Sequence, residues 1–471
     1  MAGLPDTALD NSVLLVKCDD YDPKELSKIM HKGMEVFGYQ PRGKVFVKPN
    51  VVFASKNGEF GTHAYTHNAV IESSLSTLAT SPGVDRVDMG ENSGIGVPTR
   101  LNFKHAGYYE TVKKVRAATG KKVGIFCIDE EKRDNLFVGG VVHDRLRVSR
   151  KMARADSKVY LPKLKCHNIT NMTGAVKLNV GICSDDERAI KHDFMLIDKI
   201  VDLLTVGYPD FIFMDAIEIG VANEAIPVPR KLGLMIMGVN PVAVDLVGAR
   251  LLGYELEDVP YLLRAVERGY TPTNLADVNL LGDIESLEAL DEHAKCIHPY
   301  DDEYFRWQDI HKELERLESP LRFVWGPSRS DDQSRCKYGC IMGLKMFLSF
   351  FEEWSGPEVF RQAKPSVLVI GANGETIDAK GEEVFLIGSC SGKAQVENAK
   401  KVHHIDKCFT TTSELNLTIG NLLGMKTPFL RASYLGDFVG NLAQASLMKT
   451  VKMRYLQDFA HFMGHGFMRK M

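Results

Sequence analysis

The chain has 471 residues, with 58 lysines and arginines against 61 aspartates and glutamates, a formal net charge of −3, 9 cysteines and 44% apolar residues. That length suits two or three domains, and the composition excludes a disordered or collagen-like chain. The balanced charge offers no global basic field for nucleic acid, so no nucleic-acid partner is expected.

Residues 1–10 are acidic and lack the basic and apolar parts of a secretory signal. The apolar window 232–253 is interrupted by Pro241, Asp245 and Arg250, which argues against a spanning helix. The expected location is the cytoplasm, where cysteines serve as thiols, metal ligands or redox groups rather than as a disulfide framework.

In chain order, short β-rich apolar runs fall at 13–16, 45–47, 84–89, 123–128, 159–161, 211–214 and 234–237. Stretches of helical period lie between them at 23–36, 68–80, 108–118, 193–204 and 241–252. This alternation predicts an α/β fold over residues 1–282, a mostly parallel sheet covered by helices. Residues 283–321 turn charged and helical and read as a surface bridge. Residues 322–440 read as a smaller, cysteine-bearing α/β domain, with an apolar helix at 341–351 and strands at 367–370 and 384–387. From 441 to 471 the chain carries Lys449, Lys452, Arg454, Arg469 and Lys470 against the single acid Asp458. Apolar residues recur there at helical spacing. A basic amphipathic helix is expected, its apolar side packed on the protein's own body or offered to a partner protein or membrane surface.

In an open α/β sheet ligands gather beyond the carboxyl ends of the strands, so the residues directly after each apolar run are the first candidates. They are Lys48 and Asn50; Glu91, Asn92 and Ser93; Lys163, Lys165, Cys166 and His167; Asp215, with Glu218 one turn on if the chain becomes helical; and Gly238 and Asn240. The stretch from Thr173 to Asn179 adds Lys177. Gly, Pro, Asn and Asp are ordinary turn formers, whereas repeated lysine and histidine are not. Lys48, Lys163, Lys165 and Lys177 converging on one crevice would bind a carboxylate or phosphate, with Asn50 and Asn179 orienting it. His167 or His67 would move a proton, and Asp215 would orient a base or hold a cation.

Cys336, Cys340, Cys390 and Cys408 can supply four thiolates to a 4Fe-4S cluster or to zinc, or can be structural and redox cysteines. Flanking glycines let backbone amides approach cluster sulfurs. The spacing matches neither a bacterial ferredoxin run nor a radical-SAM triplet, which needs a cysteine where Gly343 stands. Residues 388–393 have one residue too few between their glycines for a P-loop, and 371–374 lack the third glycine of a dinucleotide fingerprint. No serine nucleophile elbow or His-Glu-x-x-His zinc motif is present.

An ordered series of segments resembles one family. Val47-Lys48-Pro49-Asn50-Val51, the run from Leu161 to His167 and the run from Met172 to Gly181 are followed by Met214-Asp215-Ala216-Ile217 and the run from Gly238 to Asp245. In this order they are similar to signatures of the domain of unknown function 362 family, over roughly residues 13–270. The resemblance implies an iron–sulfur-centre protein, often with a ferredoxin-like module attached. Three departures stand out: no ferredoxin cysteine run, Cys166 where the family has threonine, and Leu178 separating Lys177 from Asn179.

Three functions follow as expectations. The first is an iron–sulfur oxidoreductase acting on an anionic small molecule with an electron-donor protein as partner. The second is a lyase or isomerase using a metal as Lewis acid, expected if one late cysteine lies apart from the other three. The third is a non-catalytic cluster carrier or assembly protein, expected if the lysines point outward or pair with the protein's own acids.

Overall fold

The computed structural model describes residues 6–297, 304–329, 333–426 and 432–465. Its first part is built on twelve strands: β1 (Ser12–Lys17), β2 (Gly43–Pro49), β3 (Val84–Glu91), β4 (Val123–Cys127), β5 (Arg133–Phe137), β6 (Arg145–Ser149), β7 (Ser157–Leu161), β8 (Lys163–His167), β9 (Asn171–Thr173), β10 (Phe211–Val221), β11 (Val228–Gly238) and β12 (Asn279–Gly282). All but β5 and β6, which form a separate hairpin, belong to one ten-stranded sheet. Its main order is β12-β1-β11-β10-β7-β2-β3-β4. The pairs from β10 through β7, β2 and β3 to β4 are parallel, as is β1 with β12, while β11 runs antiparallel to both its neighbours.

The expected mostly parallel α/β sheet is therefore present. Successive side chains alternate between its faces, and both faces are buried. Val13, Leu15, Phe46, Ile212 and Met214 join one apolar core, and Leu14, Val16, Val45, Val47, Phe211 and Phe213 join the other. Near-continuous apolar runs are what a doubly covered parallel sheet requires.

The covering helices begin where their caps dictate. Asp22 accepts from the Lys24 amide ahead of Pro23–Val36, and Asn240 accepts from the Val242 and Ala243 amides ahead of Pro241–Leu251. The second part is a parallel sheet, β13 (Leu321–Trp325), β14 (Ser366–Ile370), β16 (Glu383–Ile387) and β18 (Lys401–Ile405), with a small pair β15 (Thr376–Asp378) and β17 (Gln395–Glu397) beside it. The helix Cys340–Ser355 packs its apolar face on that sheet.

Residues expected as a surface bridge instead enter the cores. Trp307, Ile310, Leu314 and Leu317 are buried in the second part, and Leu290, Ala294 and Ile297 in the first. His311, Lys312 and Glu315 lie on the outward side of helix Ile310–Arg316, while 310, 314 and 317 recur at helical spacing on the inner side; residues 301–303, whose acids also suggested a bridge, lie outside the described residues. Phe53, Ala225 and Ile226 of the first part meet Phe350 and Trp354 of the second in a shared apolar cluster that also includes Tyr434.

The basic tail forms two helices, Ala432–Val451 and Arg454–His465; residues 466–471, including Arg469 and Lys470, lie outside the described residues. The apolar side was expected to pack on the body, yet Leu442, Leu447, Val451, Leu456 and Phe459 are 48–66% exposed. Polar groups make the attachment. Arg133 pairs with Asp458, Lys452 with Glu131, and the Arg454 guanidinium donates to the Asp129 carbonyl at 2.7 Å. No helix among the described residues is long and apolar enough to cross a membrane.

Candidate functional site

Pro162 ends β7, and the chain resumes as β8, pairing in parallel further along β10. The period of two then places Lys163, Lys165 and His167 on one side of β8. Leu164 and Cys166 face the core. Cys166 is fully buried with its thiol 3.7 Å from the Tyr254 hydroxyl, so it belongs to the packing rather than to the crevice. Strand β10 likewise does not end at Met214 but continues to Val221, so Glu218 lies on a strand and not one helical turn beyond Asp215.

Two of the four lysines are neutralised by the protein's own carboxylates. Lys48, fully buried, stands 2.5 Å from Glu91, whose other oxygen accepts from the Asn92 amide at 2.8 Å. Gly181 covers this pair so closely that a Cβ there would meet the Glu91 carboxylate at 2.0 Å. Lys163 stands 2.9 Å from Asp215 and donates to the Tyr21 hydroxyl at 3.0 Å. Tyr21 in turn donates to Asp215 at 3.0 Å, and the His67 amide donates to the same carboxylate at 3.0 Å. The His67 ring stacks on Tyr21 at 3.8 Å, and its Nδ1 accepts from the Ala69 amide as the cap of helix Asn68–Thr80. His67, Asp215 and Lys163 thus form a closed network of their own. Asn179 is also buried away from the lysines: its carbonyl oxygen accepts from the Tyr160 hydroxyl at 2.7 Å and its amide donates to the Val176 carbonyl at 3.1 Å.

Lys165, Lys177, His167 and Asn50 do come together, lining a polar cavity of about 100 Å³. The loop that carries Lys177 is pinned from below. Asp245, on helix Pro241–Leu251, accepts from the Ala175 and Val176 amides at 2.6 and 3.0 Å. A Cβ on Gly174 would collide with that carboxylate at 2.2 Å, so only glycine lets the loop sit so close.

Burial brings Lys165 down to about 7, with its amine donating to the Ala64 and Glu224 carbonyls at 2.6 and 2.5 Å. Burial also lowers Lys177, to about 8 against the opposing pull of Glu224, and its amine makes no hydrogen bond or ion pair among the described residues. Burial, then Lys177 and Lys165, push His167 well below its ordinary value, so its ring is neutral. Its Nδ1 accepts from the Ile169 amide at 3.3 Å, which leaves the proton on Nε2, 3.5 Å from Glu224. Asn50 Oδ1, Ser93 Oγ and Arg188 Nε are buried without a hydrogen-bond partner. Three such orphans along one cavity are the mark of a binding surface.

A second cavity, of about 160 Å³, shares the Lys177, His167, Arg188 and Glu224 wall. Its far side comes from the cysteine-bearing part: Met342, Met346 and Phe350 of helix Cys340–Ser355, and Phe409 with Thr411 from the loop after β18. Cys336 and Cys340 stand at the start of that helix, Cys390 in the turn after β16, and Cys408 just after β18. A Cβ on Gly388 would lie 3.0 Å from the Cys340 sulfur and 3.7 Å from that of Cys390. Burial and then the charges of Cys340, Asp193, Cys336 and Cys390 raise Cys408 to about 12, and burial raises Cys336 to about 11. The Thr410 amide donates to the Cys340 sulfur at 3.3 Å.

Among the described residues no three His, Cys, Asp or Glu side chains close on one point as a single metal ion requires. Three raised thiols, Cys336, Cys340 and Cys408, with Cys390 beside Cys340 and glycines and a backbone amide beside the sulfurs, suit the wider span of a cluster better than one zinc ion. Gly343, where a radical-SAM triplet would need a cysteine, stands so close to the Thr410 carbonyl that a Cβ would meet it at 2.3 Å.

His192 joins the two halves. Its ring stacks on Phe409 at 4.1 Å, its Nδ1 is 2.8 Å from the Tyr338 carbonyl, and it lines the larger cavity. Sequence reasoning passed over His192, Arg188 and Glu224. Arg188 and His192 follow no apolar run. Glu224 sits in the loop between β10 and β11, two strands that were each read several residues short.

Residues 45–250 match the model of the family described as a domain of unknown function, DUF362, the family that the motifs of this segment resemble. Among solved structures, the lactate racemase apoprotein from Thermoanaerobacterium thermosaccharolyticum is similar at 12% identity with a TM-score of 0.33, covering 53% of this chain and 58% of that one. The chain thus spans little more than half of that protein. No curated protein matches the chain.

Proposed function

We propose that this chain, whose residues 45–250 match the DUF362 family, is an iron–sulfur oxidoreductase acting on an anionic small molecule. The observation that carries the reading is the single cavity wall shared by Lys177, His167, Arg188 and Glu224, opposite the loop and helix that bear the cysteines. Cys336, Cys340, Cys390 and Cys408 would hold a 4Fe-4S cluster, which supplies single-electron transfer when bound. Cys408 is exposed while Cys336 and Cys340 are buried, which suits an electron-donor protein docking on one side and a substrate on the other.

Lys177 and Arg188 Nε bind the anion, Lys165 adds positive field from beneath, and the buried Phe350 and partly buried Met346 keep water from the reacting end. The neutral His167 points its Nε2–H at Glu224 and positions that carboxylate on the shared wall, where Glu224 takes the proton the substrate releases.

Cys340 and Cys390 beside the same glycine, with Cys336, Cys340 and Cys390 among the charges that raise Cys408, favour this over the Lewis-acid lyase, for which one cysteine would stand apart. The unpaired Lys177 favours it over the carrier, although Lys48 and Lys163 are paired with the protein's own acids. Anaerobically prepared chain is tested by absorption and EPR spectra with iron and sulfide analysis. Iron and sulfide in equal amounts, lost in Cys390→Ala, are expected. A colourless chain, or one holding zinc, overturns the reading.

A further inference from the structure

We propose, building on the reading of this cavity as the substrate site, that its substrate is an amphiphilic anion: a carboxylate or phosphate head on one apolar group the size of a ring or short alkyl chain. The two lobes of the cavity differ in chemistry and share one wall. The lobe of about 100 Å³ presents Lys177, Arg188 Nε and Ser93 Oγ, donors that nothing else in the described chain satisfies. That is room and polarity for an anionic head and little more.

The lobe of about 160 Å³ is walled by Phe53, Ile95, Ile169, Met342, Met346 and Phe350. Three of the polar groups at its margin are already engaged. Thr411 bonds Glu414 at 2.9 Å, Thr412 donates to the Gly343 carbonyl at 3.2 Å, and His192 is held by the Tyr338 carbonyl. An apolar cavity of about 150 Å³ holds one benzene-sized guest, and methionine side chains adapt to its shape.

An inorganic anion would fill the polar lobe and leave the apolar one without a partner. A purely apolar ligand would leave the Lys177 amine and Arg188 Nε unsatisfied beside it. Only a molecule with both parts satisfies both lobes, and the shared wall fixes the head at the proton-transfer pair His167 and Glu224.

The test is binding, by calorimetry on the full chain before and after anaerobic iron loading. The probes are acetate, butyrate, hexanoate, benzoate, phenyl phosphate and inorganic phosphate. Each added methylene is expected to tighten binding about fourfold until the lobe is full, and benzoate to bind more tightly than acetate. Phenyl phosphate binding more tightly than benzoate assigns the head as phosphate, and the reverse assigns it as carboxylate. Ile95→Asp should flatten the chain-length series, and Lys177→Met should abolish binding of every member while far-UV dichroism stays unchanged.

Equal affinity along the series, inorganic phosphate binding as tightly as any amphiphile, or full binding by Lys177→Met overturns the proposal. A chain that binds the series but holds no iron refutes the redox reading and leaves the substrate class standing. A chain that holds iron yet binds no member refutes the class alone.

Discussion

Lys177 and Lys163 show how one residue type serves two purposes in the same fold. Lys163 lies fully buried 2.9 Å from Asp215, inside a network that satisfies both groups. Removing one member strands a charge, so Asp215→Asn should destabilise the chain by about 3–5 kcal/mol. Lys163→Met combined with Asp215→Leu should recover most of that loss in denaturant unfolding. Recovery no better than the single variant would mean that Tyr21 and His67, not the charge, depend on the pair. Lys177 is the opposite case: its amine has no partner among the described residues and burial lowers it to about 8. Between that value and the ordinary value near 10.5 the unfolded chain binds more protons than the folded one, so this group makes stability rise with pH through that window. Lys177→Met should therefore raise stability at pH 7 by about 1 kcal/mol and flatten the rise between pH 8 and 10 while removing anion binding. The same titration makes anion affinity in the natural chain fall as pH climbs past 8. Thermal unfolding and calorimetry across pH 6.5–10 check both signs.

The elements that position the site were legible in the sequence to different degrees, for physical reasons. Helices Pro23–Val36 and Asn68–Thr80 begin and end where the caps and apolar period put them. Strand β10 was read seven residues short, because Asp215 and Glu218 interrupt an apolar run that tertiary pairing carries through to Val221. That shortening hid the loop bearing Glu224. The strand-end lysines could be found as a group, but which of them lack carboxylate partners depends on contacts such as Lys48 with Glu91, 43 positions apart in the chain. The tail misled through its period: the apolar stripe is there, but its charges meet Asp129, Glu131 and Arg133 and turn the stripe outward. Ion pairs at a partly exposed seam weaken with salt. Arg133→Ala, or high salt on the natural chain, should raise amide exchange across 432–459 with little change in β2, β3 and β7. Unchanged protection of the tail would place its attachment in Tyr434 and the apolar cluster around Trp354 instead.

On the scale of the whole molecule, the polar lobe is built by the first part alone, while the larger cavity exists only because two separately cored parts are held face to face. Phe53, Ala225 and Ile226 from one part and Phe350 and Trp354 from the other form the seam, and the cavity opens beside it. The cysteine-bearing part has its own core beneath β13, β14, β16 and β18, built from Leu344, Phe347, Leu348, Phe351, Leu368 and Phe385 without any contribution from the sulfurs' ligand. On the proposed cluster reading, a domain whose core is complete in this way should stay folded when the metal is withheld, unlike a small zinc module that unfolds without it. The loops holding Cys336, Cys390 and Cys408 are a different matter, since the Cys336 and Cys408 thiols, raised by burial and neighbouring charge, would lose the partner that the proposed cluster gives them when iron is withheld. Iron-free chain should therefore show faster amide exchange at 333–341, 388–393 and 406–412 than iron-loaded chain, with β14 and β16 equally protected in both. Trp354 lies on the seam between the parts, so its emission should shift only slightly between the two forms. Loss of protection throughout β14 and β16 on iron removal would make the cluster a folding element. Identical exchange in the cysteine loops would take those four residues out of any cluster.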